Sequence, residues 1–118
     1  MRARAVIVDD HAAFRASARR LLELSGFDVI GEAADGAAGL ALARDLEPDL
    51  VLLDIALPHM NGFDVATRLA GTPSKVILIS SRQKRDLGRR VRESGALGFL
   101  AKDDLSPEAV LALVEAPS

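Results

Sequence analysis

The chain has 118 residues, with 15 basic and 17 acidic side chains and a formal net charge of −2. This charge gives no general attraction to nucleic acids or anionic membranes. The absence of cysteine excludes disulfide bonds, thiolate metal sites and cysteine nucleophiles. No apolar run is long enough for a signal peptide or a membrane-spanning segment, so we expect one cytoplasmic domain without membrane contact.

Short apolar runs alternate with helical patterns along the whole chain. Continuous apolar runs are typical of strands buried on both faces of a parallel sheet, and a period near 3.6 predicts helices. In chain order, the predicted elements are strand 6–8, helix 12–24, strand 27–30, helix 36–46, strand 50–53, helix 62–70, strand 76–79, helix 84–94, strand 97–100 and a short last helix from residue 107.

Residues that favour helix ends support these boundaries. Gly26 follows the first helix and Pro48 prevents the second from continuing. Ser106 is a good N-cap, and Pro107 suits the first position of the last helix.

Five strand–helix units predict a doubly wound, open parallel sheet. Because such crossovers are right-handed, helices cover both faces. The natural solution is a flavodoxin-like (βα)5 fold with strand order 2-1-3-4-5. Its ligand site lies beyond the carboxyl ends of strands 1 and 3, where the winding reverses.

Polar residues stand at the strand ends that meet at this edge. Strand 1 is followed by Asp9 and Asp10, strand 3 ends at Asp54, strand 4 at Ser80, and strand 5 at Lys102. Asp9 alone would be an ordinary helix cap, but three converging carboxylates repel one another unless a cation compensates. Hard oxygen donors favour Mg²⁺ over zinc. A carboxylate nucleophile, a metal ion and a lysine fit phosphoryl transfer onto Asp54.

Four motifs, VDD, LVLLDIALPHMNG, ILISS and GALGFLAKDDL, resemble the receiver domain of bacterial two-component response regulators over nearly the whole chain. The resemblance implies that Mg²⁺ is the cofactor. Its expected ligands are Asp10, Asp54 and the backbone carbonyl of Ala56, with Asp9 acting through a water molecule.

The same resemblance assigns the phosphoryl chemistry. It implies that Asp54 is the phospho-acceptor, that Lys102 pairs with the phosphoryl group and that Ser80 hydrogen-bonds to it. Ser80 and Phe99 match the pair that switches conformation. The domain would catalyse only its own phosphorylation and dephosphorylation, so it is not expected to be an enzyme acting on other substrates.

The segments DDHAAFR and GFLAKD look most like receivers of LuxR-type helix-turn-helix regulators. This implies a sensor histidine kinase as phosphodonor, homodimerisation on phosphorylation as one option, and residues 1–118 as one receiver domain of a longer transcription regulator. DNA contact would come from a domain outside this chain. The basic run RQKRDLGRRVR is more often a solvated or protein-docking face than a DNA contact.

Alternative functions remain open at the level of sequence. They are a single-domain regulator acting by protein contact, a phosphorylation-independent docking module and, with less support, a Mg²⁺-dependent small-molecule phosphatase. Two features disfavour the phosphatase. The chain has no insertion that could enclose a small substrate, and Ala56 occupies the position where such enzymes often have a general acid. We expect His11 and His59 to be exposed loop or helix-start residues, and we assign neither as a metal ligand.

Overall fold

The structure, a computed structural model, describes residues 2–81 and 87–115. Within these ranges, five strands alternate with five helices, as the sequence predicts. The elements are β1 (Ala3–Val8), α1 (Ala12–Leu24), β2 (Phe27–Ala33), α2 (Gly36–Leu46), β3 (Leu50–Asp54), α3 (Gly62–Leu69), β4 (Lys75–Ser80), α4 (Gly88–Glu93), β5 (Gly98–Ala101), a short 3-10 helix (Lys102–Asp104) and α5 (Pro107–Glu115).

The strands form one parallel sheet in the order β2-β1-β3-β4-β5. This confirms the predicted flavodoxin-like topology. The winding reverses between β1 and β3, which pair directly from Ala5 with Leu50 to Val8 with Leu53. The carboxyl ends of these two strands therefore lie side by side at one edge of the sheet.

Alternate side chains of the central strands point into two separate hydrophobic cores, one on each face of the sheet. Val6 and Val8 of β1 point into the core beneath α2, α3 and α4. Ala5 and Ile7 point into the core beneath α1 and α5. All four side chains are completely buried. This two-sided burial is the physical reason for the continuous apolar runs in the sequence.

Several boundaries differ from the sequence prediction. β2 continues to Ala33, and a register shift after Ala5 leaves Ile30 without a partner on β1. β5 is half-buried along its length because it is an edge strand, so its apolar run does not indicate burial on both faces. α4 begins at Gly88 among the described residues, and the predicted start of this helix near residue 84 lies outside them.

The predicted helix ends are confirmed. Gly26, just after α1, has a φ of 96°, a left-handed conformation that glycine adopts without strain. The Oγ of Ser106 accepts a hydrogen bond of 3.0 Å from the backbone N–H of Ala109, and α5 starts at Pro107. Local chemistry is therefore consistent with the tertiary fold at these positions.

Candidate functional site

The polar residues predicted from the strand ends meet at one edge of the sheet. Asp9 directly follows β1, Asp54 ends β3, Ser80 ends β4 and Lys102 directly follows β5. The two aspartates and the serine are buried, with exposed fractions of 0%, 3% and 3%. Asp10, in contrast, is exposed at the rim. The site therefore consists of two buried carboxylates, with the exposed Asp10 at the solvent-facing rim.

Lys102 holds the two buried carboxylates together. Its Nζ lies 2.7 Å from Oδ2 of Asp9 and 3.4 Å from Oδ2 of Asp54. The same ammonium group lies 4.2 Å from the centroid of the Phe14 ring, a cation–π distance. Phe14 therefore forms a wall of the lysine site, a role that the sequence pattern of α1 did not indicate.

Backbone N–H groups donate to the remaining carboxylate oxygens. Oδ1 of Asp9 accepts from the N–H of His11 at 2.8 Å, and Oδ1 of Asp54 accepts from the N–H of Ala56 at 3.1 Å. His11 precedes the first residue of α1, and the helix has no side-chain cap. Asp9 is therefore not the cap of α1, and its carboxylate is available to the site.

The site contains a set of donors that fits a divalent cation. Among the described residues, Asp9, Asp10, His11 and Asp54 each offer one ligand atom, and these atoms lie within 4.8 Å of one another. Three of the four donors are hard carboxylate oxygens, which suits Mg²⁺. The assignment of individual ligands remains a prediction.

His11 is the donor that the sequence analysis left out. Its side chain is 69% exposed, which agrees with the expected helix-start position. Its Nδ1 nevertheless lies 3.0 Å from Oδ1 of Asp10 and 3.2 Å from Oδ1 of Asp9. The signal was present in the adjacency of His11 to the acidic pair, but adjacency does not show where an imidazole points.

Burial and neighbouring charges shift the pKa values of Asp9, Asp54 and Lys102 in different directions. Burial and repulsion by Asp9 raise the pKa of Asp54 above its ordinary value of 3.8, although the N–H of Ala56 and the charge of Lys102 oppose this. Burial also acts against Asp9, but the hydrogen bonds from Lys102 and His11 outweigh it and lower its pKa. Both carboxylates keep the pKa of Lys102 above 10.5, against the effect of burial.

We expect Asp54→Asn to be more stable than the wild type at neutral pH in metal-free buffer. Because the pKa of Asp54 is raised in the folded state, ionisation costs the folded domain stability as the pH rises from 3.8 through the folded pKa. Asparagine removes this cost, so the advantage of the variant should shrink as the pH falls toward 3.8.

Urea unfolding from neutral to acidic pH measures this difference. Asp45→Asn, on the exposed side of α2, controls for the substitution itself. A constant difference between Asp54→Asn and the wild type at all pH values would contradict the assigned raised pKa.

A cleft opens beside the two residues that follow Asp54. It has a volume of about 450 Å³, and its lining includes Ala56, Asn61, Ser80 and Arg90. Phe99, on β5, is half-buried and packs against the core beneath α2, α3 and α4. The structure thus places Ser80 and Phe99 on neighbouring strands, while their switch role stays a prediction.

The part of the chain that the structure describes contains no helix long and apolar enough to cross a membrane.

The parallel sheet and its buried carboxylate pair with a bridging lysine define a receiver-type signalling domain. The sequence profile of the response regulator receiver domain matches residues 5–115, which is most of the chain. The chain belongs to this family. It is a receiver domain of the two-component response regulators.

Similar proteins include transcriptional regulators of bacteria. The chain is 41% identical over 115 residues to "Probable transcriptional regulatory protein NarL" of Mycobacterium tuberculosis, covering 95% of this chain and 53% of that protein. It is 39% identical over 107 residues to "Virulence factors putative positive transcription regulator BvgA" of Bordetella pertussis, covering 89% of this chain and 51% of that protein. The chain therefore spans about half the length of these relatives.

Solved structures agree with the fold. The signal receiver domain of NarL from Mycobacterium tuberculosis superposes with a TM-score of 0.89 at 38% identity, covering 98% of each chain. A structure of a CheX–CheY–BeF₃–Mg²⁺ complex from Borrelia burgdorferi matches with a TM-score of 0.83 at 29% identity, covering 94% of this chain and 85% of that chain. The predicted receiver fold and family are thus confirmed.

Proposed function

We propose that Asp54 accepts a phosphoryl group from a phosphohistidine of a sensor histidine kinase in a Mg²⁺-dependent reaction. The observation that carries this proposal is the position of the Asp54 carboxylate. It is 3% exposed, lies 3.4 Å from the Lys102 ammonium and belongs to a group of donors spaced for one metal ion. Buried carboxylates that repel each other are costly, and a carboxylate nucleophile working beside a metal ion accounts for keeping them together.

The transfer is a displacement at phosphorus. An Oδ of Asp54 forms a bond to phosphorus as the bond between phosphorus and the imidazole nitrogen of the donor breaks. The products are an aspartyl phosphate and a neutral histidine, which takes up one proton. Asp10, Asp54 and the carbonyl of Ala56 would hold Mg²⁺, with Asp9 acting through water. When bound, the metal would neutralise the negative charge that develops on the phosphoryl group.

Lys102 and Ser80 would then bind the new group. Lys102 is shared between Asp9 and Asp54, so an ammonium charge already lies where the phosphoryl oxygens arrive. Hydrogen bonds from Lys102 and Ser80 contribute about 1.5–3 kcal/mol each if charge-assisted. Together they shift a two-state equilibrium by about 10² to 10⁴. We propose that Ser80 and Phe99 transmit this shift to the surface.

The relatives support the kind of output that this switch controls. Both named relatives are transcription regulators about twice as long as the matched region. We propose that residues 1–118 are the receiver domain of such a regulator, with DNA contact made by another domain. Phosphorylation would promote or release homodimers. The domain would modify only itself, so it would not turn over other substrates, and we propose a cytoplasmic location.

Intact-mass spectrometry after incubation with acetyl phosphate tests the proposal. The wild type should gain one phosphoryl group in the presence of Mg²⁺ and none when the metal is chelated. Asp54→Asn should gain none under either condition. Asp45→Asn, which changes an exposed acid of α2, should react like the wild type.

Two outcomes would contradict the assignment. An adduct on Asp54→Asn would place the acceptor elsewhere. No adduct on the folded wild type, with either acetyl phosphate or a phosphorylated histidine kinase, would favour a phosphorylation-independent docking module.

A further inference from the structure

A half-buried arginine connects the acidic loop to the neighbouring strand β2. Nη1 of Arg15, on α1, donates a hydrogen bond of 2.7 Å to the backbone carbonyl of Asp9. Nε of the same side chain donates to Oε1 of Glu32, on β2, at 3.1 Å. The exposed fractions of the Arg15 and Glu32 side chains are only 20% and 28%. The guanidinium is therefore held at both ends.

The carbonyl that Arg15 binds lies between the two neighbouring acids of the site. It belongs to the peptide group that joins Asp9 to Asp10. This peptide group is planar, so fixing its oxygen also fixes the nitrogen and constrains the Cα of Asp10. Asp9 is already held on its other side, where its N–H donates to the carbonyl of Ala33 at 3.0 Å. Arg15 therefore contacts the peptide group at which the chain leaves β1 toward Asp10, beside the hydrogen bond from the N–H of His11 to the Asp9 carboxylate.

Neither Asp9 nor Asp10 is positioned by regular structure alone. β1 ends at Val8 and α1 begins at Ala12, so both acids lie in the short connection between these elements. Their carboxylates belong to the donors that lie within 4.8 Å of one another. A fixed peptide orientation lowers the cost of bringing both carboxylates to one ion, since fewer conformations must be lost on binding.

We propose that Arg15 is a positioning residue for the metal site. Anchored by Glu32, it orients the Asp9–Asp10 peptide and so sets the affinity of the site for Mg²⁺. This inference rests on the proposed function, because it concerns the same site. It adds a residue that touches neither the metal nor the phosphoryl group.

Arg19 offers a matched control. It lies one helical turn after Arg15 and pairs with the same carboxylate, with Nε 2.7 Å from Oε2 of Glu32. Its Nη1 lies 3.9 Å from the Glu23 carboxylate and donates to the carbonyl of Val29 at 3.2 Å, within β2 and away from the acidic loop. Removing Arg15 or Arg19 thus removes a similar ion pair between α1 and β2, but only Arg15 contacts the peptide of Asp9.

Isothermal titration with Mg²⁺ alone compares the wild type, Arg15→Ala and Arg19→Ala. Loss of a group that orients metal ligands typically weakens metal binding by about 10-fold or more, so we expect that increase in Kd for Arg15→Ala. We expect a change of less than about two-fold for Arg19→Ala, because its contacts leave the metal ligands untouched. Arg15→Lys keeps the charge but not the two-ended contact, so its Kd should lie between those of the wild type and Arg15→Ala.

The phosphorylation rate with acetyl phosphate separates positioning from a general loss of structure. For Arg15→Ala and Arg15→Lys, the Mg²⁺ concentration at half-maximal rate should rise, while the rate at saturating Mg²⁺ should stay near that of the wild type. Arg15→Lys serves the same test if the alanine variant does not fold.

Equal Kd values for the wild type and the folded Arg15 variants would overturn the inference and leave the proposed function intact. An equal loss of affinity in Arg15→Ala and Arg19→Ala would also overturn it, because the shared ion pair would then be the cause. Failure of the wild type to bind Mg²⁺ at all would overturn the inference and the proposed metal dependence together.

Discussion

Replacing Lys102 with methionine should destabilise the metal-free domain by about 3 kcal/mol at neutral pH, the loss typical of removing one partner from a buried ion pair. Among the described residues, the Nζ of Lys102 is the cationic group that pairs with both buried carboxylates, at 2.7 Å from Asp9 and 3.4 Å from Asp54. Methionine fills a similar volume beside Phe14 but leaves the two like charges facing each other. The variant should also lose stability more steeply as the pH rises, because both carboxylates would then ionise without compensation.

Urea unfolding in a chelating buffer measures this loss. Lys75→Met is the control, because Lys75 is an exposed lysine whose Nζ donates to the carbonyl of Val114 at 3.1 Å, away from the carboxylate pair. It should change stability by less than about 0.5 kcal/mol. Adding Asp9→Asn to Lys102→Met should restore part of the lost stability, since one of the facing charges is then removed. A Lys102→Met variant as stable as the Lys75→Met control would show that the ion pairs contribute little to the folded state.

Replacing Gly62 with alanine should cost about 3 kcal/mol and slow the phosphorylation of Asp54, because overpacking against a rigid neighbour forces the backbone to move. A Cβ at this position would lie 2.3 Å from the carbonyl oxygen of Asp54 and 2.7 Å from the Cα of Ile55. Both are backbone atoms, so no side-chain rotation can relieve the contact. The N–H of Gly62 also donates to the carbonyl of Ile55 at 3.0 Å, which ties the start of α3 to the loop after Asp54. Any shift that accommodates the methyl group therefore moves Asp54.

Gly71→Ala provides the matched substitution. A Cβ at Gly71 would have no heavy atom within 4 Å, and this glycine does not have a left-handed conformation. Its replacement should leave stability within about 1 kcal/mol of the wild type. Chemical unfolding and the rate of adduct formation with acetyl phosphate should both separate the two variants. Equal stabilities and equal rates for Gly62→Ala and Gly71→Ala would contradict the close approach of Gly62 to the end of β3.

The amino-acid sequence is sufficient to predict the topology and the edge of the sheet that carries the site. The reason is that both depend on local and repetitive signals. A strand buried on both faces needs an uninterrupted apolar run, and β1, β3 and β4 have one. The helix ends at Gly26 and Ser106 follow from φ preference and capping chemistry, which act over a few residues. Once the strand order was known, the residue at each carboxyl end was placed without any knowledge of distances.

The sequence was less informative where neighbours outside the element decide the outcome. β2 is longer than its apolar run because pairing with β1 continues past the unpaired Ile30, and hydrogen bonds to a partner strand are not visible in hydropathy. β5 has an apolar run like those of the central strands, but its position at the edge leaves it half-buried. Burial of a strand therefore depends on the number of its partners as well as on its own residues.

The side chains that meet around Asp9 and Asp54 can be identified in the folded structure but not from the sequence. Phe14 packs against the core beneath α1 and α5, and its ring also lies 4.2 Å from the Lys102 ammonium, a contact that helical spacing does not indicate. Arg15 reaches both Glu32 and the carbonyl of Asp9 because α1 packs across β2 at one particular register. Spacing along the chain gives the face of a helix on which a residue lies. It does not give the translation of that helix over the sheet, which is set by side-chain packing between elements that are distant in sequence.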